Sequence, residues 1–347
     1  MKLFACPHCG NRIYFENTRC VFCGNTVVYK PQAGRFALPQ PGGPFLCTNA
    51  VEAGCNWAAE EEGSFCRACR LNSTIPNLSV KGNRERWAQL EEAKRRLVYQ
   101  LLGFGLEVKP KANLDEEDGI AFDFLNDPPA DAGPRVLTGH EHGLITLNAG
   151  EADPLRREKM RLEMNERYRT LLGHFRHEIG HYYWDRLVRD DPQWLARSRE
   201  TFGDETQDYN AALQRNYEEG PPHDWQERHI STYASSHPWE DFAETWAHYL
   251  HITDTLEMAD ALALDPSRLD AALPPAIEEA ASAAPDKAAQ SQQRFDRMLA
   301  DWLALSEATN ALNRCMGLPD VYPFVIAPVT GEKLRFIHEL LEAKGHG

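Results

Sequence analysis

Between residues 83 and 103 the apolar positions Trp87, Leu90, Ala93, Leu97 and Leu101 recur every three or four residues, with Gly103 behind them. That spacing predicts an amphipathic helix with a stop. Residues 119–125 (GIAFDFL) read instead as a strand, broken by Asn126, Asp127, Pro128 and Pro129. Residues 135–138 and 144–147 predict a hairpin joined across 139–143. Asp153 followed by Pro154 is an N-cap with proline at the first helical position. Helical pattern runs from there toward Trp184, as one helix or as two broken near Gly173. Within it Leu171, Leu172, Phe175, Ile179, Tyr183 and Leu187 keep near-helical spacing. Another helix starts at about residue 239, behind Pro238, on the spacing of Phe242, Trp246, Tyr249 and Leu250. Helical pattern returns over 254–270 and 295–316, and residues 320–328 and 333–341 close the fold. Residues 185–225 predict loop and a short helix, and the Ala/Pro/Gln-rich stretch 273–293 a partly mobile one.

Length and charge set bounds on this picture. At 347 residues the chain has room for about two domains. No run of 18 apolar residues exists, and the first five residues lead straight into a cysteine pair, so the expectation is a cytoplasmic protein without membrane contact. The net charge of −15 is uneven: seven Lys/Arg against five Glu give residues 1–80 a balance of +2, leaving −17 for the remainder. So acidic a body counts against nucleic acid as the partner of the whole molecule.

Eight of the nine cysteines fall before residue 70. Cys6, Cys9, Cys20 and Cys23 form two C-x2-C knuckles, each followed by Gly-Asn. Cys47, Cys55, Cys66 and Cys69 form a second set, with one clean knuckle and one wide C-x7-C loop. Paired knuckles deliver the four thiolates that tetrahedral zinc requires. A disulfide framework needs an oxidising compartment, and a redox pair needs a thioredoxin-like context absent here. Two structural zinc sites are therefore expected, holding together a segment with too little core of its own. Cys315, alone in a helical stretch, reads as a small buried hydrophobe.

Residues 177–181 spell His-Glu-Ile-Gly-His. On a helix the imidazoles of His177 and His181 share a face and can reach one metal ion, with Glu178 beside them as general base for a zinc-acidified water. The bland alternative is a pair of polar residues on an ordinary amphipathic helix. A catalytic zinc still needs a third protein ligand. Downstream, Glu240, Glu244, His248 and His251 form one helical stripe, while Asp241 points elsewhere. Glu240 is the expected ligand, and Glu244, one turn on, the carboxylate that hydrogen-bonds a ligand histidine and fixes its tautomer. His229 and His237 are rival oxyanion donors or substrate contacts, with an ordinary surface histidine as the alternative for each. Strand 143–148 is the candidate sheet edge for an extended substrate, with an ordinary internal strand as the alternative. His140 and His142 read as turn residues.

HEIGH followed by WEDFAE resembles the gluzincin arrangement, and YASSHPWEDFAE is similar to the matching stretch of anthrax lethal factor and its relatives. In that group the first Glu of E-x-F-A-E binds zinc and a tyrosine seven residues earlier faces the developing oxyanion, which implies Tyr233 in this role. Tandem cysteine knuckles joined to these motifs resemble a bacterial family of zinc-binding metallopeptidases. The expectation is an α+β protein: a tandem zinc ribbon over 1–78 and a helix-rich, zincin-like metallopeptidase domain with a small sheet over 79–347. It would carry one catalytic and two structural zinc ions and act on a protein or peptide. The ribbon offers a surface for a protein partner. Competing readings are a nucleic-acid-associated processing factor docked through the ribbon, and a non-catalytic zinc-binding interaction protein.

Overall fold

A computed structural model describes residues 2–113, 115–128, 133–163, 168–269 and 287–345. The fold is α+β and helix-rich, and it divides into two compact units, Met1–Pro192 with Lys344–Gly347, and Gln193–Ala343.

The first unit begins with three two-stranded ribbons: β1 (Phe4–Ala5) with β2 (Arg12–Ile13), β3 (Val28–Lys30) with β4 (Arg35–Ala37), and β5 (Phe45–Leu46) with β6 (Ala58–Ala59). The rings of Phe15, Tyr29 and Trp57 pack against one another, and Tyr99 joins them from α1 (Asn83–Gly103), 5.1 Å from Phe15. The ribbon's small core is thus completed by the helix that follows it. Strand β7 (Asn72–Thr74) opens a four-stranded sheet with β8 (Ala121–Leu125), β9 (Gly139–Glu141) and β10 (Leu144–Asn148), in the order β7-β8-β10-β9. Both β7 and β10 run parallel to β8, and β9 pairs antiparallel with β10.

The hairpin strand is 139–141 rather than 135–138, because His142 (φ 45°) and Gly143 (φ 81°) supply the two positive-φ positions that a two-residue hairpin turn demands. Consequently β10 is an interior strand, and β9 occupies the edge once expected of residues 143–148.

The predicted helical run from Asp153 is two helices, α2 (Pro154–Glu163) and α3 (Leu171–Leu187). Thr170 caps α3 by accepting from the Gly173 N–H at 3.0 Å. Phe175 of α3 packs on Phe122 and Phe124 of β8, with ring centroids at 5.5 and 6.1 Å. The Tyr182 and Tyr183 hydroxyls donate to the carbonyls of Asp118 and Glu107, each at 2.9 Å, and so fix the rotation of α3 about its axis.

The second unit is helical: α4 (Pro192–Phe202), α5 (Tyr209–Glu219), α6 (Trp225–Arg228), α7 (Pro238–Ala261), α8 (Lys287–Cys315) and α9 (Pro328–Lys344). Residues 185–225 are therefore mostly helix, in α4 and α5, where loop and a short helix are expected from the sequence. Phe242, Trp246 and Leu250 of α7 are fully buried, and Phe202 bridges Phe242 and Phe336 at 5.5 and 5.4 Å. Residues 273–286 lie outside the described residues; 287–293 are the first turns of α8. Cys315 is exposed rather than buried: it is the last residue of α8, at an end where Leu312 and Met316 are exposed too.

Candidate metal centres

The first two knuckles are built alike. Gly10 and Gly24 take left-handed conformations (φ 73° and 74°), and their N–H groups donate to the Cys6 and Cys20 carbonyls at 2.9 Å. The asparagines behind them turn inward: Asn11 Nδ2 donates to Cys9 Sγ at 3.5 Å and Asn25 Nδ2 to Cys23 Sγ at 3.4 Å. The Gly-Asn that follows each pair is thus a thiolate-binding turn. All nine cysteines are free. The sulfurs of Cys6 and Cys23, and of Cys9 and Cys20, lie 3.7 Å apart. That is far from a bonded disulfide and close to the edge, about 3.8 Å, of a tetrahedron with zinc–sulfur bonds of about 2.3 Å. The second quartet gives the same measure, Cys55–Cys66 at 3.6 Å and Cys55–Cys69 at 3.7 Å. Both quartets are groups able to hold a metal ion.

The second quartet is fully buried and rests on α1. Four thiolates around one divalent ion leave two negative charges, which burial makes costly. Arg95 supplies a counter-charge: burial alone would lower its pKa, but Cys55 and Glu91 beside it raise it. Glu91 in turn accepts from Lys94 Nζ (2.8 Å), Asn72 Nδ2 (2.7 Å) and Trp87 Nε1 (3.2 Å). The charges below this quartet are thus paired rather than isolated.

In α3, His177, Glu178 and His181 are buried together. The Nε2 atoms of His177 and His181 stand 3.2 Å apart with the rings at 85°. Two nitrogens bound to one tetrahedral zinc at about 2.0–2.1 Å would be about 3.3 Å apart, so the pair fits. His140 on β9 is not a turn residue. Its ring lies 6.2 Å from that of His181, its Nε2 accepts the Gly143 N–H at 2.8 Å, and burial, with His181 and His142 nearby, pushes its pKa down to about 3. His142 does sit in the turn.

In the second unit Glu240 and Asp241 are buried at the start of α7 and Glu244 is half-buried. Glu240 Oε1 accepts from the Tyr209 hydroxyl at 2.6 Å, and Glu244 Oε2 from the Ser231 hydroxyl at 2.6 Å. Tyr233 lies in a short 3-10 turn laced by serines: Ser235 donates to the Thr232 carbonyl and Ser236 to the Tyr233 carbonyl, at 2.6 and 2.7 Å. His237 is the N-cap of α7. Its Nδ1 accepts the Trp239 N–H (3.1 Å) and its Nε2 donates to the Gln207 carbonyl (3.2 Å), which engages both ring nitrogens. His229 is bound to Asp241, with Nδ1 3.1 Å from Oδ2. Tyr209 escaped the sequence reading, since its partner is 31 residues away. The only local signal there was Asp208, which caps α5 through the Ala211 N–H.

Residues 83–340 match the family described as "Putative zinc-binding metallo-peptidase", and residues 3–80 match a zinc-ribbon domain. The chain belongs to that zinc-binding metallopeptidase family. Within it, proteins named only as uncharacterized from Mycobacterium bovis and from two strains of Mycobacterium tuberculosis are each 41% identical over 347 residues, covering 99% of this chain and 96% of theirs. No solved structure matches the chain. Among the described residues of this family member, no helix is long and apolar enough to cross a membrane.

Proposed function

We propose that the protein is a zinc-dependent peptidase whose metal is held by His177, His181 and Glu240. Two buried imidazoles on one face of α3 and a buried carboxylate at the start of α7 support this reading, and family membership points the same way. Two neutral imidazoles and one carboxylate are the donor set of a hydrolytic zinc with a place left for water. Zinc so bound supplies Lewis acidity toward a water molecule and a peptide carbonyl. The chain's own groups do the rest. Glu178 takes the proton of the attacking water and returns it to the departing amine. The Tyr233 hydroxyl donates to the carbonyl oxygen as it gains charge. Glu244 orients a ligand histidine through its ring N–H, and Ser231 holds one of its oxygens meanwhile. The two cysteine quartets carry structural zinc, making three ions per chain.

The observation that carries the proposal is the 3.2 Å spacing of the two Nε2 atoms, with Glu178 buried between them in sequence. The test is cleavage of a proteome-derived peptide library by the zinc-loaded protein and by Glu178→Gln. Peptides cut by the wild type and spared by Glu178→Gln are the expected result. Identical patterns, or no cleavage by either, would sink the peptidase reading and leave a zinc-binding interaction protein.

A further inference from the structure

Tyr209 is the first residue of α5, and its hydroxyl reaches the first turn of α7 to donate to Glu240 Oε1 at 2.6 Å. The surroundings hold that phenol still. Asp208 fixes the helix start beneath it, accepting the Ala211 N–H at 3.0 Å. His237 reaches back from α7 to the Gln207 carbonyl at 3.2 Å, tying the residues just before Tyr209 to the same corner. The Tyr209 ring packs edge-on against His237 and Trp239, at 5.2 and 5.9 Å between centroids. Hydroxyl position is therefore set by backbone and ring together, before any ligand arrives.

An ionised carboxylate has two equivalent oxygens and can grip a metal with one or both. A short charge-assisted O–H···O bond breaks that equivalence. We propose that Tyr209 is a positioning residue that decides how Glu240 binds metal: with Oε1 engaged by the phenol, the carboxylate coordinates through Oε2 alone and leaves a position for water. This rests on the reading of Glu240 as a metal ligand. It also gives part of the 185–225 stretch a task, the delivery of one hydroxyl to one oxygen. Without that hydroxyl Oε1 would join Oε2 on the ion beside the water, and the coordination number would rise from four to five.

Tyr209→Phe keeps the ring and its packing and removes only the donor. The experiment compares wild type, Tyr209→Phe, Glu240→Ala and Tyr217→Phe, the last an exposed tyrosine on the same helix. Zn2+ affinity at the third site is measured by competition with a chelator, with the cysteine quartets already filled. Co2+ placed at that site then reports coordination number through its visible absorption, intense for four ligands and weak for five. Thermal unfolding of each variant is followed by circular dichroism, so that a folding defect is seen directly. The expected result for Tyr209→Phe is a melting curve like that of the wild type, about 10- to 100-fold weaker metal binding, and a weaker Co2+ spectrum. Tyr217→Phe leaves all three measurements unchanged. Unchanged affinity and spectrum in Tyr209→Phe, or weakened affinity with an unchanged spectrum, would overturn the inference while Glu240→Ala still loses the metal. If Glu240→Ala keeps the metal, the ligand assignment itself is wrong, and this inference falls with it.

Discussion

Lys333 Nζ lies 2.6 Å from Asp241 Oδ2, with side-chain exposures of 4% and 1%. The same carboxylate oxygen meets His229 Nδ1 at 3.1 Å, and Lys333 also donates to the Arg228 carbonyl. The pair thus joins α9, α7 and the segment leading to Tyr233 within the second unit. Asp241 follows Glu240 directly, yet its partners are structural. Removing one member of a buried pair strands the other charge. Lys333→Met is expected to cost about 3–5 kcal/mol in urea denaturation, and Lys333→Met with Asp241→Asn less than the two single losses combined. A single-variant loss below about 1 kcal/mol would remove the pair from the account of stability.

Metal content separates structural from catalytic roles. Elemental analysis is expected to find three zinc ions in the wild type and in Glu178→Gln, and two in Glu240→Ala. Cys66→Ser should lose one ion and also unfold more readily, because the second quartet sits directly on α1. A wild-type zinc count in Glu240→Ala would remove Glu240 from the ligand set.

Glu151 sets an acid limit on the first unit. Burial alone would raise its pKa, but the hydrogen bond and charge of His174, with Arg169 and Thr138, bring it down to about 2 from 4.5. A depressed carboxylate stabilises the fold fully above its unfolded value and loses that contribution as pH falls from about 4.5 toward 2. The size is about 3 kcal/mol, from about 1.4 kcal/mol per pH unit. Glu151→Gln should therefore be less stable than wild type at neutral pH, with the gap closing by pH 2. A gap that stays constant across this range would show that the charge contributes nothing.

Gly143 sits in the turn between β9 and β10. At φ 81° an added Cβ would run into the Gly119 carbonyl oxygen, and the Gly143 N–H is the group that holds His140. Gly143→Ala should lower stability by about 2 kcal/mol or more in denaturant titration. Gly34→Ala, also at positive φ but with open space around it, should cost less.

Short-range features were readable in one dimension. The knuckle spacings and their trailing Gly-Asn pairs predict thiol quartets because each turn is closed by atoms no more than five residues apart. The same holds for the 83–103 helix and for two imidazoles one helical turn apart. Misplacing the hairpin by a few residues had a local cause as well, since His142 is an uncommon occupant of a positive-φ position. The choice between an edge and an internal strand for residues 143–148 was open for another reason. Which strand lies outermost depends on where a third strand docks, and alternation of residues within one strand is silent on that.

The chain itself therefore determined its α+β, helix-rich character, both cysteine quartets and the helix that carries His177, Glu178 and His181, because periodicity and turn chemistry act over a few residues. Only the tertiary structure could decide that Tyr209 meets Glu240, that Lys333 meets Asp241 and that β9 rather than β10 is the outer strand. Those pairings join residues from 31 to 92 positions apart, or depend on strand order. They are selected by burial, which forces each polar group to find a partner wherever the fold brings one within reach.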